Sequence, residues 1–140
     1  MELGAGVLVI VGSVCLTFAL LLAWCLAAVR SSRFVRRCFP NHQYLVKAHL
    51  DLLMMTGLLF VFFLLFGHLR VTPPTVIVVA MSVGSVTNPA GLLALALWPD
   101  LPQRPATAFG ALMTISFAMT TIGYGGAAWY VAHAIAFRTT

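Results

Sequence analysis

Acidic residues are nearly missing from this chain. Glu2, Asp51 and Asp100 are the only three among 140 residues, and charged residues of all types make up 8%. A soluble domain carries roughly a quarter charged residues. With 61% of the residues hydrophobic, too little polar surface remains to face water, and lipid becomes the expected main solvent. The sequence also lacks a nucleotide-binding glycine loop, a catalytic triad and paired carboxylates, so it offers no standard hydrolytic or phosphoryl-transfer machinery. Its three cysteines, Cys15, Cys25 and Cys38, have neither metal-ligand spacing nor the pattern of a disulfide framework. The formal net charge of +5 comes mostly from one short loop. No basic patch interleaved with aromatics is present, and no nucleic-acid partner is expected.

Long apolar runs fill the rest. A membrane span needs about 20 apolar residues, and four such stretches fit: about residues 3–29, 44–67, 75–98 and 106–137. The expected fold is an all-α integral membrane protein, one domain over residues 1–140, built as a four-helix transmembrane bundle. The third stretch opens β-branched with Val76, Ile77, Val78 and Val79. A lone strand cannot satisfy its backbone in lipid, so helix is expected there too. The first apolar run lacks a preceding basic segment and is too long for a signal core, so it reads as a retained span. Arg30, Arg33, Arg36 and Arg37 between the first two spans are a positive-inside signal that places this loop in the cytoplasm and both termini outside. The expected location is the bacterial cytoplasmic membrane, crossed several times.

Polar side chains inside spans are costly and are therefore the functional candidates. His49 and Asp51 open the second span, Asn88 lies in the third and Tyr124 in the fourth. At about 1.5 Å rise per residue, His49 lies about 8 Å and Asn88 about 15 Å from the cytoplasmic boundary, so both are expected to line one pocket; Tyr124, roughly 27 Å away, is not expected to join it. His49 and Asp51, two residues apart, point about 200° apart on a helix. His49 shares its face with Leu53, Thr56 and Phe60, an apolar surface suited to a porphyrin with the imidazole as axial ligand. The alternative is a histidine hydrogen-bonded to a neighbouring helix. Asp51 is expected to pair with Lys47 one turn earlier or with a loop arginine, or to support the His49 site. Pro89 cannot donate to the Ser85 carbonyl and bends the helix. Asn88 beside it is either a substrate-orienting amide or a bond between helices. Gly123-Tyr124-Gly125-Gly126 allows close helix approach, for assembly or packing.

The stretch Lys47-Ala48-His49-Leu50-Asp51, with Asn88 in the later run Ser85-Val86-Thr87-Asn88-Pro89-Ala90-Gly91-Leu92, resembles the styrene oxide isomerase and hydroxylaminobenzene mutase group. The likeness covers about the middle half of the chain. Met54-Met55-Thr56-Gly57 stands where the family has an asparagine-glycine pair, and Leu92 where the isomerase has a tyrosine. The resemblance implies a homotrimer binding haem b between subunits. It makes His49 the iron ligand, Leu53, Thr56 and Phe60 its surroundings, and Asn88 and Asp51 the catalytic candidates. The implied substrate is a small apolar epoxide or hydroxylamine-type molecule, isomerised without net redox change. A glutathione-transferase-like membrane enzyme and a non-enzymatic transporter or structural subunit are the alternatives.

Overall fold

The computed structural model describes residues 3–101 and 106–137, Leu3 by its backbone alone. Among them are five helices and no strand: α1 (Leu3–Ser31), α2 (Arg33–Cys38), α3 (His42–Leu69), α4 (Thr75–Leu97) and α5 (Ala108–Ala136). All except α2 are long and apolar enough to cross a membrane. The four-span expectation is met, with ends shifted by a few residues. Residues 102–105 of the second expected cytoplasmic loop lie outside the described residues. α3 contains 28 residues, a length of about 42 Å against about 30 Å of hydrocarbon. Its ends therefore reach the headgroup level.

The arginine-rich connection is not a plain loop. Ser32 caps a short helix, its hydroxyl accepting from the Val35 amide at 3.4 Å. Arg36 folds back onto the end of α1, its guanidinium donating to the Val29 carbonyl at 3.3 Å and the Arg30 carbonyl at 3.5 Å. Cations suit this helix terminus because the last carbonyls carry partial negative charge. At the other end of the bundle α3 closes on Arg70, which adopts a left-handed conformation with φ 49°. Pro73 and Pro74 then prevent helix continuation until α4 begins at Thr75.

The spans pack as antiparallel neighbours, α1 on α3, α3 on α4 and α4 on α5. Short connections favour this order. The α4–α5 seam is set by glycines. A Cβ on Gly123 would lie 2.5 Å from the Met81 amide nitrogen, and one on Gly84 would lie 2.8 Å from the Thr120 backbone. Gly91 makes room for the Met113 side chain. Small residues let backbones approach closely where no hydrophobic drive joins helices. Of the glycine stretch on α5, Gly123 is used for packing within the chain, while Gly125 meets nothing within 4 Å.

Candidate functional site

Two groups of polar side chains flank α3. The first is interior, near the middle of the spans. Asn88 on α4 donates through Nδ2 to Asp51 Oδ2 on α3 at 2.8 Å. An ionised carboxylate only accepts, so the amide nitrogen faces it. The amide oxygen, Asn88 Oδ1, is buried without a hydrogen-bond partner. The expected pairing of Asp51 with Lys47 is not what the structure shows. Asp51 turns inward to α4, while Lys47 is exposed and holds its ammonium 4.7 Å above the Tyr44 ring.

One turn deeper, Tyr124 on α5 and Ser85 on α4 bring their hydroxyls to 2.6 Å. The Tyr124 hydroxyl also lies 3.4 Å from the Met55 carbonyl on α3, and the Ser85 hydroxyl donates to the Met81 carbonyl at 2.7 Å. Pro89 leaves the Ser85 carbonyl without its helical donor. The Cys15 thiol on α1 reaches that carbonyl at 3.8 Å. Each of the four spans thus contributes to one polar interior. Cys15, Ser85 and Tyr124 were not recognised as members from sequence. The proline four residues after Ser85 signalled a free carbonyl, but nothing in the chain pointed to the thiol that meets it. Tyr124 lies deeper than Asn88 by its Cα, as expected. Its long side chain leans toward the helix N-terminus, and so back toward the level of Ser85.

The second group lies on the other flank of α3, at the α1 seam. His49 Nδ1 lies 2.9 Å from the Ala19 carbonyl. A carbonyl only accepts, so Nδ1 carries the hydrogen, and Nε2 is the nitrogen that the neutral ring would offer to a metal. Thr56 is buried, its hydroxyl reaching the Gly12 carbonyl at 3.4 Å, and the Phe60 ring lies where a Cβ on Gly12 would be, 2.9 Å from its nearest carbon. Thr56 and Phe60 are thereby engaged with α1. Of the four residues assigned to one porphyrin face, His49 and Leu53 remain at its open edge, Leu53 being 38% exposed. The bond between helices foreseen as the alternative for His49 is present, and it occupies only one ring nitrogen.

The structure does not bring Asn88 and His49 into one pocket. Asn88 bonds Asp51 and His49 bonds α1, and residues 49 and 51 point to opposite sides of their helix. Depth alone placed them together, whereas rotation about α3 separates them.

At the end of the bundle that carries α2, a recess of about 420 Å³ is lined by Leu26, Ala27, Val29, Arg30, His42 and Val46. A second recess there adds Arg36 to Val29, Arg30 and His42. A separate cavity of about 160 Å³ lies between α1 and α4, walled by Cys15, Phe18, Leu52 and Pro89. Engineered apolar cavities of about 150 Å³ admit benzene, so this one is large enough for a single small ring. No group of three or more His, Cys, Asp or Glu side chains converges on a metal position among the described residues; a haem iron needs only one such ligand. No family model, no curated protein and no solved structure matches the chain.

Proposed function

We propose that the chain is a haem b-dependent membrane isomerase acting on a small apolar epoxide or hydroxylamine-type substrate drawn from the lipid. The observation that carries the reading is the His49 ring, held through Nδ1 by the Ala19 carbonyl at 2.9 Å. Metal-ligating histidines almost always donate their other ring nitrogen to a carbonyl or carboxylate, which fixes the tautomer and orients the lone pair. His49 has that support within an apolar span, and Val46, one turn earlier on α3, lines a recess with apolar walls. When bound there, haem would supply a Lewis-acidic iron able to polarise a substrate oxygen or nitrogen.

His49 holds the group, and Leu26, Ala27, Val46 and Leu53 keep water away from it. Asn88 and Asp51 belong to the other flank of α3, so the reading assigns them to joining α3 and α4 rather than to contact with the substrate. On the same helix Val46, Leu50, Leu53 and Leu64 are exposed, which leaves this flank of α3 open on one side. A second copy of the chain covers it in this reading, in a homotrimer.

The test is the absorption spectrum of the detergent-purified protein loaded with ferric haem. A Soret band that His49→Ala largely removes, with the oligomer intact by native mass spectrometry, is the expected result. Alanine preserves the helix. An unaltered band in His49→Ala would overturn the ligand assignment, and no band in the unmodified protein would overturn the isomerase reading.

A further inference from the structure

We infer that the recess at the turn between α3 and α4 binds the phosphate headgroup of an anionic phospholipid, with Arg70 as its principal ligand. The site lies at the end of α3 away from the α2 arginines and does not involve His49.

The backbone singles out Arg70. At the end of α3 the Arg70 amide donates to the Gly67 carbonyl at 3.1 Å, and the Val71 amide donates to the Phe66 carbonyl at 3.0 Å. This pair of bonds requires a left-handed residue at position 70, and Arg70 takes φ 49°. Glycine, or sometimes asparagine, fills such a position, because a Cβ is strained there. Arginine is therefore a costly way to stop this helix. Strained residues cluster where the side chain has a task. The rest of the turn is held in place, with the Tyr130 hydroxyl donating to the Thr72 carbonyl at 2.8 Å and Pro73 buried. The guanidinium is thus presented from a fixed backbone.

The recess has a volume of about 630 Å³, and His68, Arg70 and Thr72 all line it. These three side chains are exposed and bond nothing among the described residues. None of the described residues that line the recess is acidic. Guanidinium, imidazole and hydroxyl can each donate, and a phosphate oxygen only accepts; the guanidinium can hold two such oxygens at once. Phe63 and Leu64 supply an apolar wall, Leu64 being 65% exposed. Gly67 keeps the space clear, since a Cβ there would meet nothing within 4 Å. The length of α3 brings this end to the headgroup level. Donors therefore stand where lipid phosphates lie, beside a wall suited to the start of an acyl chain. Basic pockets at the ends of membrane helices take lipid headgroups in this way. Free phosphate shares the anion but has no use for Phe63 and Leu64.

The experiment labels the full-length protein in mild detergent with phenylglyoxal, which modifies free guanidinium groups, and reads each arginine by peptide mass spectrometry. Phosphatidylglycerol, phosphatidylcholine with the same acyl chains, and inorganic phosphate are added to separate samples. Phosphatidylglycerol is expected to slow labelling of Arg70 about tenfold, the scale of a charge-assisted hydrogen bond. Phosphatidylcholine and inorganic phosphate should leave it unchanged. Gly67→Leu fills the recess without removing a charge, so it should abolish the protection of Arg70 and leave labelling of Arg33 as it was. Equal protection of Arg70 by the two lipids would overturn the site, as would protection that persists in folded Gly67→Leu. Protection by inorganic phosphate as strong as by phosphatidylglycerol would assign the recess to a free anion and overturn the lipid. The comparison of lipids uses the unmodified protein, so it stands even if Gly67→Leu fails to fold.

Discussion

The α4–α5 seam and the α1–α3 seam are both lined with small residues, yet they are packed in opposite ways. At α4–α5 the space left by Gly84 and Gly123 is filled by the neighbouring backbone itself. Hydroxyl pairs cross it, Thr87 with Ser116 at 2.7 Å and Ser85 with Tyr124 at 2.6 Å. At α1–α3, Gly12 faces the movable ring of Phe60, and a recess that includes Ala27 and Val46 opens at the end that carries α2. Glycine against backbone gives a closed, rigid seam. Glycine against a ring gives a seam that can yield. The first seam opens onto the polar interior through Ser85 and Tyr124, and the second holds His49 against the Ala19 carbonyl.

Substitutions of decreasing severity test this contrast. Gly123→Val inserts a branched side chain where a Cβ alone would be 2.5 Å from the Met81 nitrogen. It should lower stability by about 3 kcal/mol, the upper range for overpacking, measured as unfolding free energy in mixed detergent. A loss below about 1 kcal/mol would mean the seam is not closed. Asn88→Ala removes the donor to Asp51 and leaves a carboxylate within the membrane without that partner. About 2 kcal/mol is expected, as for other unsatisfied buried groups. If haem binds as proposed, its spectrum should be unchanged, since the pair lies on the far flank of α3. A shifted Soret band would place Asn88 at the ligand after all.

Gly12→Ala meets the Phe60 ring at 2.9 Å rather than backbone. The ring can turn aside, so the cost should be about 1 kcal/mol, clearly below that of Gly123→Val. If the two glycines prove equally sensitive, the distinction between a yielding and an unyielding seam fails. Gly125→Ala meets nothing within 4 Å and should be neutral or stabilising by about 0.5 kcal/mol through helix propensity, read as a small rise in midpoint temperature. A marked loss of oligomer in this variant would show that Gly125 is an assembly contact.

Much of the bundle was legible in the chain. Four apolar stretches, two proline-marked turns and one arginine cluster fix the number of spans, because lipid accepts only segments that satisfy their own backbone hydrogen bonds. The candidate residues were legible as a set, because polar groups such as His49, Asp51 and Asn88 are rare at such depth. The 200° separation of His49 and Asp51 on α3 was legible too, from the helical period alone. What the sequence did not contain was which neighbour each side faces. Asp51 has Lys47 one turn away in sequence, but only the packing of α4 against α3 puts Asn88 within 2.8 Å of its carboxylate.

The same holds for the thiol of Cys15 on the Ser85 carbonyl and the reach of Tyr124 to Ser85. Local periodicity and burial cost are properties of one helix in a solvent, and the sequence by itself determined them. Pairing across helices depends on the rotation and offset of each helix against the next. Those are set by where glycines let backbones touch and where a ring such as Phe60 holds them apart, and only the tertiary structure decided them.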